Sequence, residues 1–242
     1  MYSVAHSLHL HQSRSNKVKI SKETLDIFHN FSKLNNGLVF KAGNKIKTRH
    51  QKAAMPIAEV VVPEEFPRDF AIAELPKFLS VFTLLDNPEL DFTEDSIILT
   101  DATNRSAKIR YAAETMVVHM DYKIGVALPS VDASFELSEA NYKAINKAAS
   151  AFVAPEIAFI GDGSTLKLST YNTRNSRADS FMVDIGETDK VFTMIIDVNH
   201  LQMLMRSYKV DICFRGILQF TSETEHNTLK YWIAASEKSK VG

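Results

Sequence analysis

The chain holds one cysteine, Cys213, among 242 residues, so an intrachain disulfide is excluded. Val210-Asp211-Ile212-Cys213-Phe214 alternates as a strand does. That assigns Cys213 to a packed core, since a reactive thiol needs a basic or helix-terminal neighbourhood. No apolar run approaches the roughly 20 residues that span a bilayer. Residues 1–16, with His6, His9, His11 and Arg14, lack the apolar stretch and small-residue cleavage site of a secretory signal, and the cytoplasm is the default location. Glycine is scarce, with 8 in the whole chain. No G-x-x-x-x-G-K-[ST] loop, no strand-following G-x-G-x-x-G and no G-x-S-x-G elbow occurs. No catalytic residue, cofactor or metal is assigned. The three histidines near the start have neither cysteines nor acids beside them, which reads as a flexible extension rather than a metal site. The acid pairs Glu64-Glu65 and Glu94-Asp95 sit in turn-like sequence and read as solvated loops. A surplus of one charge sign is missing as well, the formal net charge being -1. Nucleic-acid-binding domains are typically strongly basic. The balance therefore argues against tight sequence-specific DNA binding, while basic residues gathered on one face remain possible.

What is present is a repeat. Ser21 and Ser138 each follow an apolar residue and head a helical pattern. Each helix leads to a strand, Leu38 to Phe40 and Ile157 to Ile160, then to a turn at Ala42-Gly43-Asn44 or Gly161-Asp162-Gly163, and then to a second strand, Lys45 to Thr48 or Thr165 to Leu168. A short second helix follows in each half, over Glu74 to Leu85 and Asp197 to Arg206. Closing strands run from Ala107 to Ala113 and from Leu229 to Ala235. Internal order of this kind marks a duplication. The expected fold is α+β: two similar β-rich domains, each with two helices packed on antiparallel sheets. The expected division is an extension at 1–16, domains at 17–124 and 133–242, and an extended linker at 125–132.

Both serines suit the N-cap position, and Glu23 and Glu139 suit the positive helix end. Leu25, Phe28, Phe31 and Leu34 in the first helix, and Tyr142, Ile145, Ala149 and Phe152 in the third, are expected to face a sheet. The shorter helices carry the stripes Leu75, Phe78, Leu79, Phe82 and Val198, Leu201, Leu204, Met205. The opposite face of the first helix presents Lys22, His29, Asn30 and Lys33, with Asp26 among them; that of the third presents Lys143, Asn146, Lys147 and Ser150. Lys77 and Arg206 add basic groups to the other two. Domains set side by side would gather these groups on one surface, suited to weak, sequence-independent contact with a phosphate backbone.

The segments Val18-Lys19-Ile20-Ser21-Lys22-Glu23-Thr24, Asn30-Phe31 and Asn35-Asn36-Gly37-Leu38-Val39-Phe40-Lys41-Ala42-Gly43, with Thr48-Arg49 beyond, resemble the sliding clamp of T-even-type bacteriophages. The likeness is close only over the first thirty or so residues from Lys17, and continues to the C-terminus through the shared order of elements. The resemblance implies a non-enzymatic homotrimeric ring around duplex DNA, acting in the cytoplasm of an infected bacterial host. It implies an ATP-dependent clamp loader, tethering of the replicative polymerase through its C-terminal peptide, and support of late transcription. It implies a pore lined by Lys22, His29, Lys33, Lys77, Lys143, Lys147 and Arg206. By analogy with clamps in general, Tyr122, Ile124, Val126, Leu128 and Val131 are the expected partner-peptide pocket. Residues 1–16 precede the family's usual start. Edge strands near Lys108 to Ala113 and Ala178 to Ile185 are the expected subunit contacts, because pairing hides exposed sheet edges. Two other readings stay open: a two-domain β-rich interaction scaffold that does not encircle DNA, and an enzyme with an unrecognised site.

Overall fold

A computed structural model describes residues 17–242. The extension at 1–16, with its three histidines, lies outside the described residues. The first half runs β1 (Lys17–Lys19), α1 (Lys22–Leu34), β2 (Leu38–Phe40), β3 (Gly43–Arg49), β4 (Ile57–Phe66), β5 (Phe70–Ile72), α2 (Leu75–Val81), β6 (Glu89–Phe92), β7 (Ser96–Thr100) and β8 (Ser106–Arg110). The second runs β9 (Ala133–Leu137), α3 (Glu139–Ala151), β10 (Glu156–Asp162), β11 (Thr165–Tyr171), β12 (Met182–Glu187), β13 (Val191–Asp197), a single 3₁₀ turn (Val198–His200), β14 (Tyr208–Cys213), β15 (Ile217–Glu223) and β16 (Thr228–Ala234). A short β17 (Lys240–Val241) follows. The order of elements therefore repeats, with the 3₁₀ turn standing where the first half has α2.

The sheets join the halves. One sheet has the order β1-β6-β7-β8, another β12-β11-β10-β13-β17, and β2 pairs with β5 alone. The largest, β3-β4-β16-β15-β14-β9, takes its first two strands from the first half and the rest from the second. Its seam is the antiparallel pairing of β16 with β4, where Lys230 lies opposite Glu59. The strands expected at Leu38 to Phe40 and Lys45 to Thr48 form, but they pair elsewhere, β2 with β5 and β3 with β4. Their second-half counterpart, β10 with β11, is paired throughout, and Gly163 at its turn has φ 90°. There the missing Cβ lets the chain adopt a conformation other residues avoid.

The helix starts are as expected. The Ser21 and Ser138 hydroxyls accept hydrogen bonds from the N–H groups of Thr24 and Asn141. The N-terminus of α1 has a second support that sequence reading placed wrongly. Glu64 is in β4, not in a solvated loop, and it is buried. It continues the inward line Val60, Val62, Phe66 and accepts from Ser21 N–H at 2.7 Å and from the Thr24 hydroxyl at 2.8 Å. Pro63, which suggested a loop, lies in the irregular stretch of β4 between the pairs Val61–Lys45 and Phe66–Gly43, where the register shifts, so its absent N–H breaks no ladder bond. Hydrogen bonds to a charged acceptor contribute about 1.5–3 kcal/mol. Glu64→Ala is accordingly expected to lower the thermal midpoint by roughly 4–10 °C, measurable by calorimetry.

Two helix expectations are corrected. The helix expected over Glu74 to Leu85 is α2, Leu75–Val81, with Phe82 as its cap. The helix expected over Asp197 to Arg206 is not formed beyond the 3₁₀ turn. Tertiary hydrogen bonds take the backbone groups a helix would have used. Tyr142 Oη donates to the Leu201 carbonyl at 2.7 Å, Asn30 Nδ2 to Gln202 O at 2.9 Å and Tyr208 Oη to Leu204 O at 2.5 Å, while Leu204 N–H donates to Tyr231 Oη at 3.2 Å. Phe152, expected in the core, is instead the exposed cap of α3, because Val153 at φ 51° ends the helix. Cys213 is buried in β14.

Burial pushes the Tyr142 phenol up to about 12 from its usual value of 10.0. A raised folded-state pKa favours the neutral phenol. Its contribution to stability is complete below about pH 10 and is lost as pH rises through about 12. Alkaline unfolding should therefore coincide with ionisation of buried tyrosine, read by ultraviolet difference absorbance, with a smaller step in Tyr142→Phe.

Candidate nucleic-acid interface

The same bonds that dissolve the fourth helix arrange the remaining ones. α1 packs directly on α2. On its other side, Asn30 of α1 holds the 201–206 segment through Gln202 and bonds Tyr231, and Glu23 of α1 holds Arg206 at 2.9 Å. Tyr142 of α3 grips the same segment at Leu201 and Met203. The order across this layer is therefore α2, α1, segment 201–206, α3. A cavity of about 520 Å³ lies between α1 and the segment, lined by His29, Lys33, Met203 and Arg206 among others.

The candidate basic residues differ in how free they are. Lys33, Lys143 and Lys147 are exposed and, among the described residues, have no carboxylate partner within ion-pair distance. α3 has no acid after Glu139, so its face is cationic. His29 is exposed beside Lys33, one turn earlier on α1. Lys22 pairs with Asp26 at 2.7 Å and Lys77 with Glu74 at 3.2 Å, both well exposed. Such surface pairs are worth little and exchange readily for a phosphate. Arg206 is different. Its side chain is 15% exposed, bonded to Glu23 and to Asn227 at 2.8 Å, so it fastens one half to the other. Asn30, read as part of the basic face, is also turned inward to this seam.

The linker residues divide in the same way. Tyr122 does not stand at the wall of a groove: its hydroxyl donates to Val39 O at 2.7 Å and accepts from Lys47 N–H at 2.9 Å. Lys47, itself buried, donates to Ile124 O at 3.0 Å and pairs with Glu59 at 3.2 Å. Ile124 and Val131 are exposed, and Val126 and Leu128 half-buried. The segment is thus an exposed apolar strap anchored at Tyr122. Sequence reading missed Lys47, because the strand alternation says only that it points away from Ile46 and Thr48; what covers it comes from 75 residues away.

Among the strands that end a sheet, β8 and β12 carry exposed charges of opposite sign. β8 ends one sheet and presents Lys108 and Arg110; β12 ends another and presents Asp184 and Glu187. Lys108 lies 3.5 Å from Asp95 in an exposed pair. Among the described residues no group of three or more metal-ligating side chains is assembled, and no helix is long and apolar enough to cross a membrane.

Residues 21–120 match the family model for DNA polymerase processivity factors. The chain is 30% identical over 222 residues to the sliding clamp of Vibrio phage KVP40, a match covering 90% of this chain and 98% of that one. It is 25% identical over 206 residues to the sliding clamp of Enterobacteria phage T4, covering 82% and 89% respectively. Among solved structures, the proliferating cellular nuclear antigen of Entamoeba histolytica superposes with a TM-score of 0.66 at 14% identity, over 92% of this chain and all of that one.

Proposed function

This chain belongs to the sliding-clamp family of DNA polymerase processivity factors, and from that premise we propose that three copies close head to tail into a ring that encircles duplex DNA and tethers the replicative polymerase. The observation that carries the ring is the opposite charge of the two sheet-ending strands β8 and β12. The β16–β4 seam already shows how a strand of one half joins a strand of the other, with Lys230 facing Glu59. In the repeated order, β8 and β12 stand where β16 and β4 stand, and each is unpaired on its outer side among the described residues. The exposed charge of β8 is basic and that of β12 acidic, so each edge repels a second copy of itself and attracts the other. This favours a head-to-tail contact, which closes into a ring when the rotation permits.

In this arrangement the two domains are residues 17–124 and 133–242, joined by the linker at 125–132, and their helical layer faces the pore. Lys33, Lys143 and Lys147 meet the phosphate backbone, helped by His29, Lys22 and Lys77, while Arg206 holds the domains together. Tripling a net charge of -1 leaves the ring mildly acidic, so a basic pore implies an acidic exterior that discourages DNA from the wrong surface. The clamp is a non-catalytic partner: an ATP-dependent loader places it on DNA, and the C-terminal peptide of the polymerase docks against the linker strap at Ile124, Val126, Leu128 and Val131. It acts in the cytoplasm of the infected host and supports late transcription as well.

Sedimentation equilibrium combined with DNA retention tests the ring. The expected result is a trimer mass at micromolar protein, with loader-dependent retention on nicked circular DNA and loss after linearisation. A strictly monomeric chain, or retention indifferent to linearisation, would favour the interaction scaffold instead.

A further inference from the structure

The two long helices end differently. In the first half the cap Asn35 is buried, and its side chain donates to the carbonyls of Arg49 and Val118. The β3–β4 loop closes over that end, with Gln51 N–H bonding Leu34 O. In the second half α3 ends on Phe152 and Val153, which are 46% and 85% exposed. Ala154 N–H bonds Ala149 O at 2.8 Å and Val153 N–H bonds Ser150 O at 3.3 Å. Glycine usually holds the left-handed position of such a helix stop, and here Val153 stands in it at φ 51°. A β-branched side chain is strained there, and strain of this kind collects at functional sites.

Cations surround this tip. Lys147 and Ser150 lead up to it along α3. Val198 N–H bonds Pro155 O at 3.0 Å, which sets the 3₁₀ turn against the end of α3, and His200 of that turn faces His50 with ring centroids 6.3 Å apart. Glu156 accepts from the N–H and hydroxyl of Thr173 at 2.7 and 2.9 Å, which brings Arg174 to the same end, and Lys238 donates to that hydroxyl at 2.8 Å. Lys52, next to His50, and Arg174 are exposed, and neither has a carboxylate partner within ion-pair distance among the described residues. Asp197 is turned to Asn199 N–H.

We propose that Phe152 and Val153 form a contact for unpaired bases of single-stranded nucleic acid, with Lys147, Lys52 and Arg174 meeting its phosphates. The contact continues the proposed DNA-facing layer past the end of α3 and rests on that reading. A ring stacks on a base only where the base face is free, and within a duplex both faces are already stacked. Phosphates gain nothing from Phe152 or Val153, so duplex contact accounts for the lysines and not for the tip. A single strand uses both, its backbone tracking the cations while a base takes the ring. Among the described residues Phe152 is the only exposed phenylalanine, tyrosine or tryptophan.

The probe is fluorescein-labelled oligothymidine, which forms no duplex, titrated by anisotropy against the full chain without loader. Saturable binding at low salt is expected. Phe152→Ala should weaken it about tenfold, the effect of losing one stacked base, and should leave binding of a blunt duplex unchanged. Phe152→Trp should keep the affinity, and oligothymidine should quench its exposed indole, a signal that the buried Trp232 does not give. Lys147→Ala should flatten the salt dependence by about 0.7 for the phosphate it meets. Val153→Gly should raise the thermal midpoint by roughly 2–4 °C as the strain is relieved, and weaken oligothymidine binding. Absent saturation, unchanged oligothymidine binding in Phe152→Ala, an equal loss for the duplex, or no quenching in Phe152→Trp would overturn the contact. Sedimentation of the same samples separates this from the ring: a trimer that holds circular DNA and shows no Phe152 effect rejects the contact alone, and a monomer whose oligothymidine binding depends on Phe152 rejects the ring alone.

Discussion

Reversing the charge of one open edge, by Lys108→Glu with Arg110→Glu, is expected to take the proposed ring apart, and adding Asp184→Lys with Glu187→Lys is expected to restore it. Opposed cross-strand charges contribute up to about 1 kcal/mol each, and like charges cost a similar amount. Two reversals at a junction therefore remove roughly 2 kcal/mol, or about thirtyfold in that junction's association constant. A ring of three subunits repeats the loss three times. Sedimentation velocity at low micromolar protein should show each single-edge variant as monomer and the doubly reversed protein as trimer. Each edge variant should also lose retention on circular DNA while keeping its own thermal midpoint, because β8 and β12 are held from their inner sides by β7 and β11. Persistence of the trimer in both single-edge variants would place the subunit contact elsewhere.

The second large effect concerns the helical layer. In the proposed trimer, Lys33→Ala, Lys143→Ala and Lys147→Ala together would take from the pore nine cations that have no carboxylate partner among the described residues. Non-specific duplex affinity depends on salt with a slope near -0.9 per neutralised phosphate, so the plot of log affinity against log salt should flatten by about 0.9 for every lysine that meets the backbone. Arg206→Ala is the informative comparison. It is expected to leave the slope nearly unchanged while lowering stability, because it leaves Glu23 without its partner at the seam between the halves. A steep slope that survives the triple change would remove these lysines from the pore. An Arg206 variant as flat as the triple one would return that residue to it.

The repeat, the two N-caps, the apolar face of α1 and the lysines of α3 were legible because each is a local pattern. Serine before a helical period satisfies orphan N–H groups within three residues, and apolar spacing tells which side is wet. The edge strands near residues 108 and 185 were legible for a related reason, since they alternate with charges on one side. Local patterns also misled in identifiable ways. Pro63 made Glu64 look like part of a loop, though Pro63 stands in a register shift of the β3–β4 pairing and Glu64 continues the inward line of β4. The stripe from Val198 to Met205 has helical spacing, yet the distant side chains of Asn30, Tyr142 and Tyr231, with nearby Tyr208, claim its backbone groups.

Composition and periodicity determined the duplicated α+β character and the helix starts, both of which depend on neighbours a few positions apart. Only the tertiary structure decided that Arg206 and Asn30 are seam residues and that Tyr122 and Lys47 fasten the linker. Each of those depends on a partner between 75 and 201 residues away along the chain. Spacing records which side of an element a residue occupies; the identity of what meets that side is fixed only when the sheets are assembled.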